Sequence, residues 1–182
     1  MPASIPLVTT HINRELVAYY AKQTQLLNAI DEWVLVPDYK LLPELVRLRH
    51  LVNKHQPHRD AKTVLYRGFT VGANYQNDLK VDLKGKYNDL KRPIGVTFDH
   101  PTSFTTEKSI AETFGDTVIS IRPGAHLNKF LRLTDELCLA ICEHRKIDPE
   151  TQCEWIFLPY EPTEFMTTFI RHEKPKWYEF WK

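Results

Sequence analysis

Apolar residues return at helical spacing from Thr10 to about Trp33. Ile12, Leu16, Tyr19, Tyr20, Leu26, Leu27 and Ile30 predict one helix there, which Pro37 stops. A second amphipathic stretch runs from Leu41 to about His55. Leu42, Leu45, Val46 and Val52 form its apolar side, Arg47, Arg49 and Lys54 lie mostly elsewhere, and Pro43 suits a first helical turn. The pattern then changes to short β-rich runs. Thr63–Thr70 and Ile94–Phe98 read as strands, separated by a polar loop from Gly72 to Pro93 that holds a short helix and the stacking-capable Tyr75 and Tyr87.

After a turn at Asp99-His100-Pro101, the alternating hydroxyls of Thr102-Ser103-Phe104-Thr105 end a strand. Thr106 is placed to cap a short helix bearing Ile110, Ala111 and Phe114 and stopping at Gly115. Thr117–Arg122 predicts another strand, with Pro123-Gly124 as its terminating turn. Thr134-Asp135-Glu136 opens a helix with Leu137, Ala140 and Ile141 on its apolar face, and His144-Arg145-Lys146 gives its end the positive charge that helix C-termini favour. A loop leads to the apolar run Trp155-Ile156-Phe157-Leu158, closed by Pro159. Glu164–Arg171 is the last strand, and the aromatic tail Trp177–Trp181 packs back on the body.

Composition narrows the picture. With 182 residues, of which 42% are hydrophobic and 12% aromatic, the chain predicts one domain around one core. Residues 1–60 form its helical N-terminal part, 63–171 its core and 172–182 its tail. A balance of 24 basic and 23 acidic residues leaves no net field to argue for or against nucleic acid. There is no leader-like segment and no apolar run of about 18 residues, so the expectation is a cytoplasmic protein with no membrane partner. Cys138, Cys142 and Cys153 are an odd set without a CxxC pair and read as reduced core thiols. The eight histidines show no HxxxH or HxH spacing, so no metal site is expected.

Three short pieces carry candidate chemistry. In Gln152-Cys153-Glu154, side chains two apart on a strand share a face, which would set an amide beside a rigidly held carboxylate. A polar pair at the solvent-facing start of a core strand is the plainer reading. In Tyr66-Arg67-Gly68, a guanidinium able to grip phosphate oxygens adjoins a glycine of the kind that marks a bulge or a ligand near the backbone. The alternative is an arginine snorkelling from an edge strand. Between them stands Ser103-Phe104-Thr105, leading to Ala111 and Phe114. His144, Arg145 and Lys146 could meet phosphates, or could be a solvated helix end.

In this order, over about 90 residues, the pieces resemble the Arg, Ser-Thr-Ser and Gln/Glu-x-Glu pattern of the clostridial-toxin-like mono-ADP-ribosyltransferases, in the looser form of bacterial-toxin and phage members. The resemblance spans Thr63 to about Arg171. It implies an α+β fold of two packed, mostly antiparallel sheets forming an NAD cleft, with N-terminal helices. It also implies transfer of ADP-ribose from NAD, the co-substrate, to a macromolecular acceptor, with release of nicotinamide and no metal.

In that scheme Glu154 accepts from the ribose hydroxyl and stabilises an oxocarbenium-like transition state. Ser103 orients Glu154, Gln152 lies nearest the acceptor, and Arg67, Gly68, Ser103, Thr105 and Phe114 bind NAD. Glutamine cannot act as a base, which argues against an arginine acceptor and leaves an asparagine-type protein side chain or an RNA or DNA base. An antitoxin or inhibitor protein is a possible partner. Two other classes stay open: an NAD glycohydrolase and a catalytically inactive NAD-binding or interaction module.

Overall fold

A computed structural model describes residues 5–7, 11–35, 39–69, 94–98, 100–115, 117–151 and 153–171. Pro37, the loop Gly72–Pro93, Asp99, Gln152 and the tail Trp177–Trp181 lie outside the described residues.

The chain is α+β. The first amphipathic stretch is two helices where periodicity predicted one: α1 (Arg14–Ala21) and α2 (Thr24–Leu35). The reason is local hydrogen bonding. Asn13 caps α1, its side-chain oxygen accepting from the Glu15 and Leu16 amides. The Gln23 carbonyl then accepts from both Leu26 and Leu27 and starts α2 afresh. Helix α3 (Leu42–His55) follows a 3-10 turn at Tyr39–Leu41 and carries Pro43 in its first turn, as predicted. Arg49 departs from expectation. It lies with Leu45, Leu48 and Val52 in the buried stripe of α3 and is 4% exposed. Its guanidinium lies over the Tyr160 ring and donates to the Tyr160 hydroxyl at 3.5 Å, while Nε and Nη1 are buried with no hydrogen-bond partner among the described residues.

Nine strands lie among the described residues. They are β1 (Ile5–Pro6), β2 (Leu65–Phe69), β3 (Ile94–Phe98), β4 (Thr102–Thr105), β5 (Thr117–Ile121), β6 (Phe130–Arg132), β7 (Glu150–Thr151), β8 (Glu154–Phe157) and β9 (Thr163–Arg171). Helix α4 (Lys108–Thr113) lies between β4 and β5, and α5 (Asp135–Arg145) between β6 and β7. β1 and β7 form a two-stranded ribbon. The other seven strands form one antiparallel sheet in the order β3-β9-β5-β2-β4-β8-β6.

Where two packed sheets were expected, the described strands are thus one continuous sheet with a small ribbon beside it. The continuity is narrow, because β2 meets β4 at a single register pair, Tyr66 with Thr105, whereas β2 and β5 pair over five positions. Strand β6 was not foreseen, and Pro123-Gly124 opens a 3-10 turn, Gly124–Lys129, that leads into it.

β8 explains its own uninterrupted apolar run by being buried on both faces. Ile156 joins the core beneath the helices, with Tyr20, Leu27, Leu45 and Leu137. Trp155 and Phe157 join the opposite core, where Phe98, Phe104, Phe130 and Phe165 pack edge to face or tilted with ring centroids 5.1–6.4 Å apart. No helix among the described residues is long and apolar enough to cross a membrane.

Candidate active site

The site is assembled where β2, β4 and β8 lie side by side. In the β4–β8 ladder Ser103 faces Ile156 and Thr105 faces Glu154. Ser103 and Glu154 are therefore diagonal neighbours on one face, close enough for side-chain contact. The Ser103 hydroxyl donates to Glu154 Oε1 at 2.5 Å. Arg67, one residue past the Tyr66–Thr105 pair, donates from Nη1 to the Ser103 carbonyl at 2.8 Å. Residues 36 and 51 positions apart in sequence thus form one connected polar chain.

Glu154 is held at its backbone from both sides. The Leu133 amide donates to its carbonyl at 2.9 Å, and the Thr106 amide donates to the carbonyl of the preceding Cys153 at 3.3 Å. Burial pushes the Glu154 carboxyl above the usual carboxylate range. The Ser103 donor and the positive charges of Arg67 and Arg145 oppose that rise. The arrangement is an acid group with limited access to water, an oriented hydroxyl, and a cation close enough to act on its charge.

Of the pair Gln152 and Glu154, Gln152 lies outside the described residues. β8 begins at Glu154, and the residue before it, Cys153, adopts a left-handed backbone with φ of 51°. The Cys153 amide donates to Thr151 Oγ1 at 3.0 Å, which holds the turn. Cys153 is part-buried, unlike the buried Cys138 and Cys142, and burial followed by the charge of Glu107 pushes its thiol up. None of the three forms a disulfide.

Gly68 has a packing reason to be glycine. A Cβ there would lie 1.8 Å from the Ala111 carbonyl oxygen of α4 and 3.2 Å from Phe114 Cβ. The close approach is that of a helix to a strand, where the sequence suggested a bulge or a ligand. It sets Phe114, half exposed at the C-terminal cap of α4, beside Gly68 and one residue from Arg67. Thr105 is buried and its hydroxyl accepts from the Glu107 amide at 3.0 Å. That bond shapes the entry to α4, whose N-cap is Glu107 where the sequence suggested Thr106.

The basic end of α5 is occupied by helix packing. Arg145 Nε donates to Asp31 Oδ1, and His144 Nε2 lies 2.9 Å from Asn28 Oδ1, so both residues bind α5 to α2. Among the described residues no group of three or more His, Cys, Asp or Glu is placed to hold a metal ion.

One polar cluster beside the site had no signature in the sequence. Arg132, whose register partner is Trp155, donates to His58 Nδ1 and to the Gln56 carbonyl, each at 3.0 Å, with its guanidinium 5.8 Å from the centre of the Trp155 ring. Gln56 also accepts from Tyr20 and Thr134 and donates to Glu136. The partners stand up to 80 positions apart, beyond any local motif.

No protein-family model, curated protein or solved structure matches the chain.

Proposed function

We propose that the protein is an NAD-dependent mono-ADP-ribosyltransferase that moves ADP-ribose from NAD to a macromolecular acceptor inside a cell and releases nicotinamide. On this reading its core is an ADP-ribosyltransferase fold, the narrow β2–β4 junction being where two half-sheets meet at the NAD cleft. The observation that carries the proposal is the chain Arg67–Ser103–Glu154, built from the three residue types this chemistry requires, in one connected set.

Each residue has a task that follows from its chemistry. Breaking the bond between nicotinamide and ribose develops positive charge on the sugar. A fixed carboxylate at Glu154 opposes that charge most strongly in the transition state, where it lowers the barrier. Partial exclusion of water raises the effect, since the same charges interact more strongly at lower dielectric. Ser103 keeps the carboxylate oriented and supports its ionised form by donating to it. Arg67 has five donors; Nη1 is committed to Ser103, and the planar fork suits the diphosphate of NAD. The exposed Phe114 ring beside Gly68 offers an apolar face to the nicotinamide.

The test is transfer of label from adenine-labelled NAD into a whole-cell lysate, divided between nuclease and protease treatment, with Glu154→Gln in parallel. Label resistant to nuclease and lost to protease means a protein acceptor, and the reverse means RNA or DNA. Nicotinamide release without labelling would assign a glycohydrolase. Neither release nor labelling by folded protein would overturn the enzyme reading in favour of a binding module.

A further inference from the structure

We infer that His58 is a positioning residue for Glu154, acting through Arg132 and Trp155; the catalytic part of this inference rests on the function proposed above. The starting point is the direction of a hydrogen-bond chain. A guanidinium can only donate, so the 3.0 Å contact between Arg132 Nη1 and His58 Nδ1 requires Nδ1 to be an acceptor. The imidazole is then neutral with its proton on Nε2. That nitrogen lies 2.7 Å from Thr63 Oγ1, which in turn donates to the Asp60 carbonyl at 2.8 Å. One tautomer satisfies every link, and the chain ends on a backbone acceptor. Burial and the neighbouring Arg132 charge both push the imidazole pKa down and keep it in that neutral form.

The chain spans the weak point of the sheet. Thr63 stands two residues before β2, the strand of Arg67, while Arg132 and Trp155 belong to β6 and β8. The His58 and Trp155 rings pack nearly perpendicular, with centroids 4.9 Å apart, as Arg132 lies over the same indole. The residue after Arg132 donates to the Glu154 carbonyl, and the residue after Glu154 is the indole being clamped. The segment from Gln56 to Thr63 therefore bridges the entry of β2 to the two strands that fix Glu154. The direct ladder from β2 toward β8 passes through the single Tyr66–Thr105 pair. Arg132 also has little tolerance for losing His58, because its Nε is already buried without a partner among the described residues.

Two amides separate positioning from plain support of the fold. Asparagine sets its oxygen near the place of Nδ1 and can answer Arg132; glutamine reaches the place of Nε2 and answers Thr63 instead. The experiment compares His58→Asn, His58→Gln and the parent protein in two readouts. One is nicotinamide release, as kcat and KM. The other is the titration of the Glu154 carboxyl by carbon NMR of glutamate-labelled protein, assigned with Glu154→Gln.

The expected result is that His58→Asn retains both, while His58→Gln lowers kcat by about tenfold or more with little change in KM and moves the Glu154 titration. A glutamine variant matching the parent in both readouts would overturn the inference, as would an asparagine variant as impaired as the glutamine one. If the parent releases no nicotinamide, the proposed function fails while the titration still decides whether His58 positions Glu154.

Discussion

Ser103 and Glu154 meet diagonally across β4 and β8, with the hydroxyl donating to the carboxylate at 2.5 Å. Because burial raises the carboxyl while this donor lowers it, the pair sets when Glu154 is charged. Ser103→Ala should slow nicotinamide release by about tenfold, the effect of losing an orienting hydrogen bond. It should also move the acid limb of the kcat/KM profile to higher pH, since the ionised form loses its donor. A pH–rate profile of the two proteins checks both.

Glu154→Gln should abolish most activity, about 10²-fold or more, and yet make the protein more stable near neutral pH. The folded carboxyl titrates above its unfolded value, so its stabilising contribution is present below the ordinary carboxylate range and lost as pH rises through the raised value. Glutamine stays neutral and can still accept from Ser103. Unfolding midpoints should therefore differ most near neutrality and converge in acid; a variant less stable than the parent at neutral pH would contradict this account.

Gly68→Ala should destabilise by about 1–3 kcal/mol, because the new methyl group meets the α4 backbone, which cannot rotate away as a side chain can. Chemical denaturation measures the loss. Nicotinamide release should fall with it, since α4 carries Phe114 into the site.

Arg49→Met should leave stability unchanged or raise it by about 1 kcal/mol or more. Two guanidinium nitrogens are buried without partners among the described residues, and methionine fills much of the same space without that desolvation cost. Denaturant midpoints of the two proteins decide it.

Tyr20→Phe should flatten the alkaline loss of stability. Burial first, and then the Glu136 charge, push the Tyr20 hydroxyl from 10.0 to about 12. Its contribution is intact below the ordinary value and lost as pH rises through the raised one. The parent should therefore lose stability more steeply than the phenylalanine variant across that window, in unfolding curves taken at successive pH values.

Much of this architecture was readable in the sequence, because helices and strands leave periodic apolar patterns. Ile94–Phe98, the hydroxyl-rich strand at Ser103, the helix opened by Thr134 and the apolar run after Glu154 all follow from neighbours a few residues apart. Residue chemistry likewise singled out Arg67 and Glu154, and the family resemblance added Ser103. Other features depend on partners distant in sequence or on the backbone's own hydrogen bonds. The break between α1 and α2, the left-handed Cys153, the buried Arg49 and the α4 carbonyl against Gly68 belong here.

Strand order belongs here too. It set β4 between β2 and β8, and so put the backbone of Ser103 within reach of Arg67 and its side chain within reach of Glu154. Local periodicity reports which face a residue presents. Only the packed chain decides what meets that face, because burial and pairing are set by residues that the sequence keeps far apart.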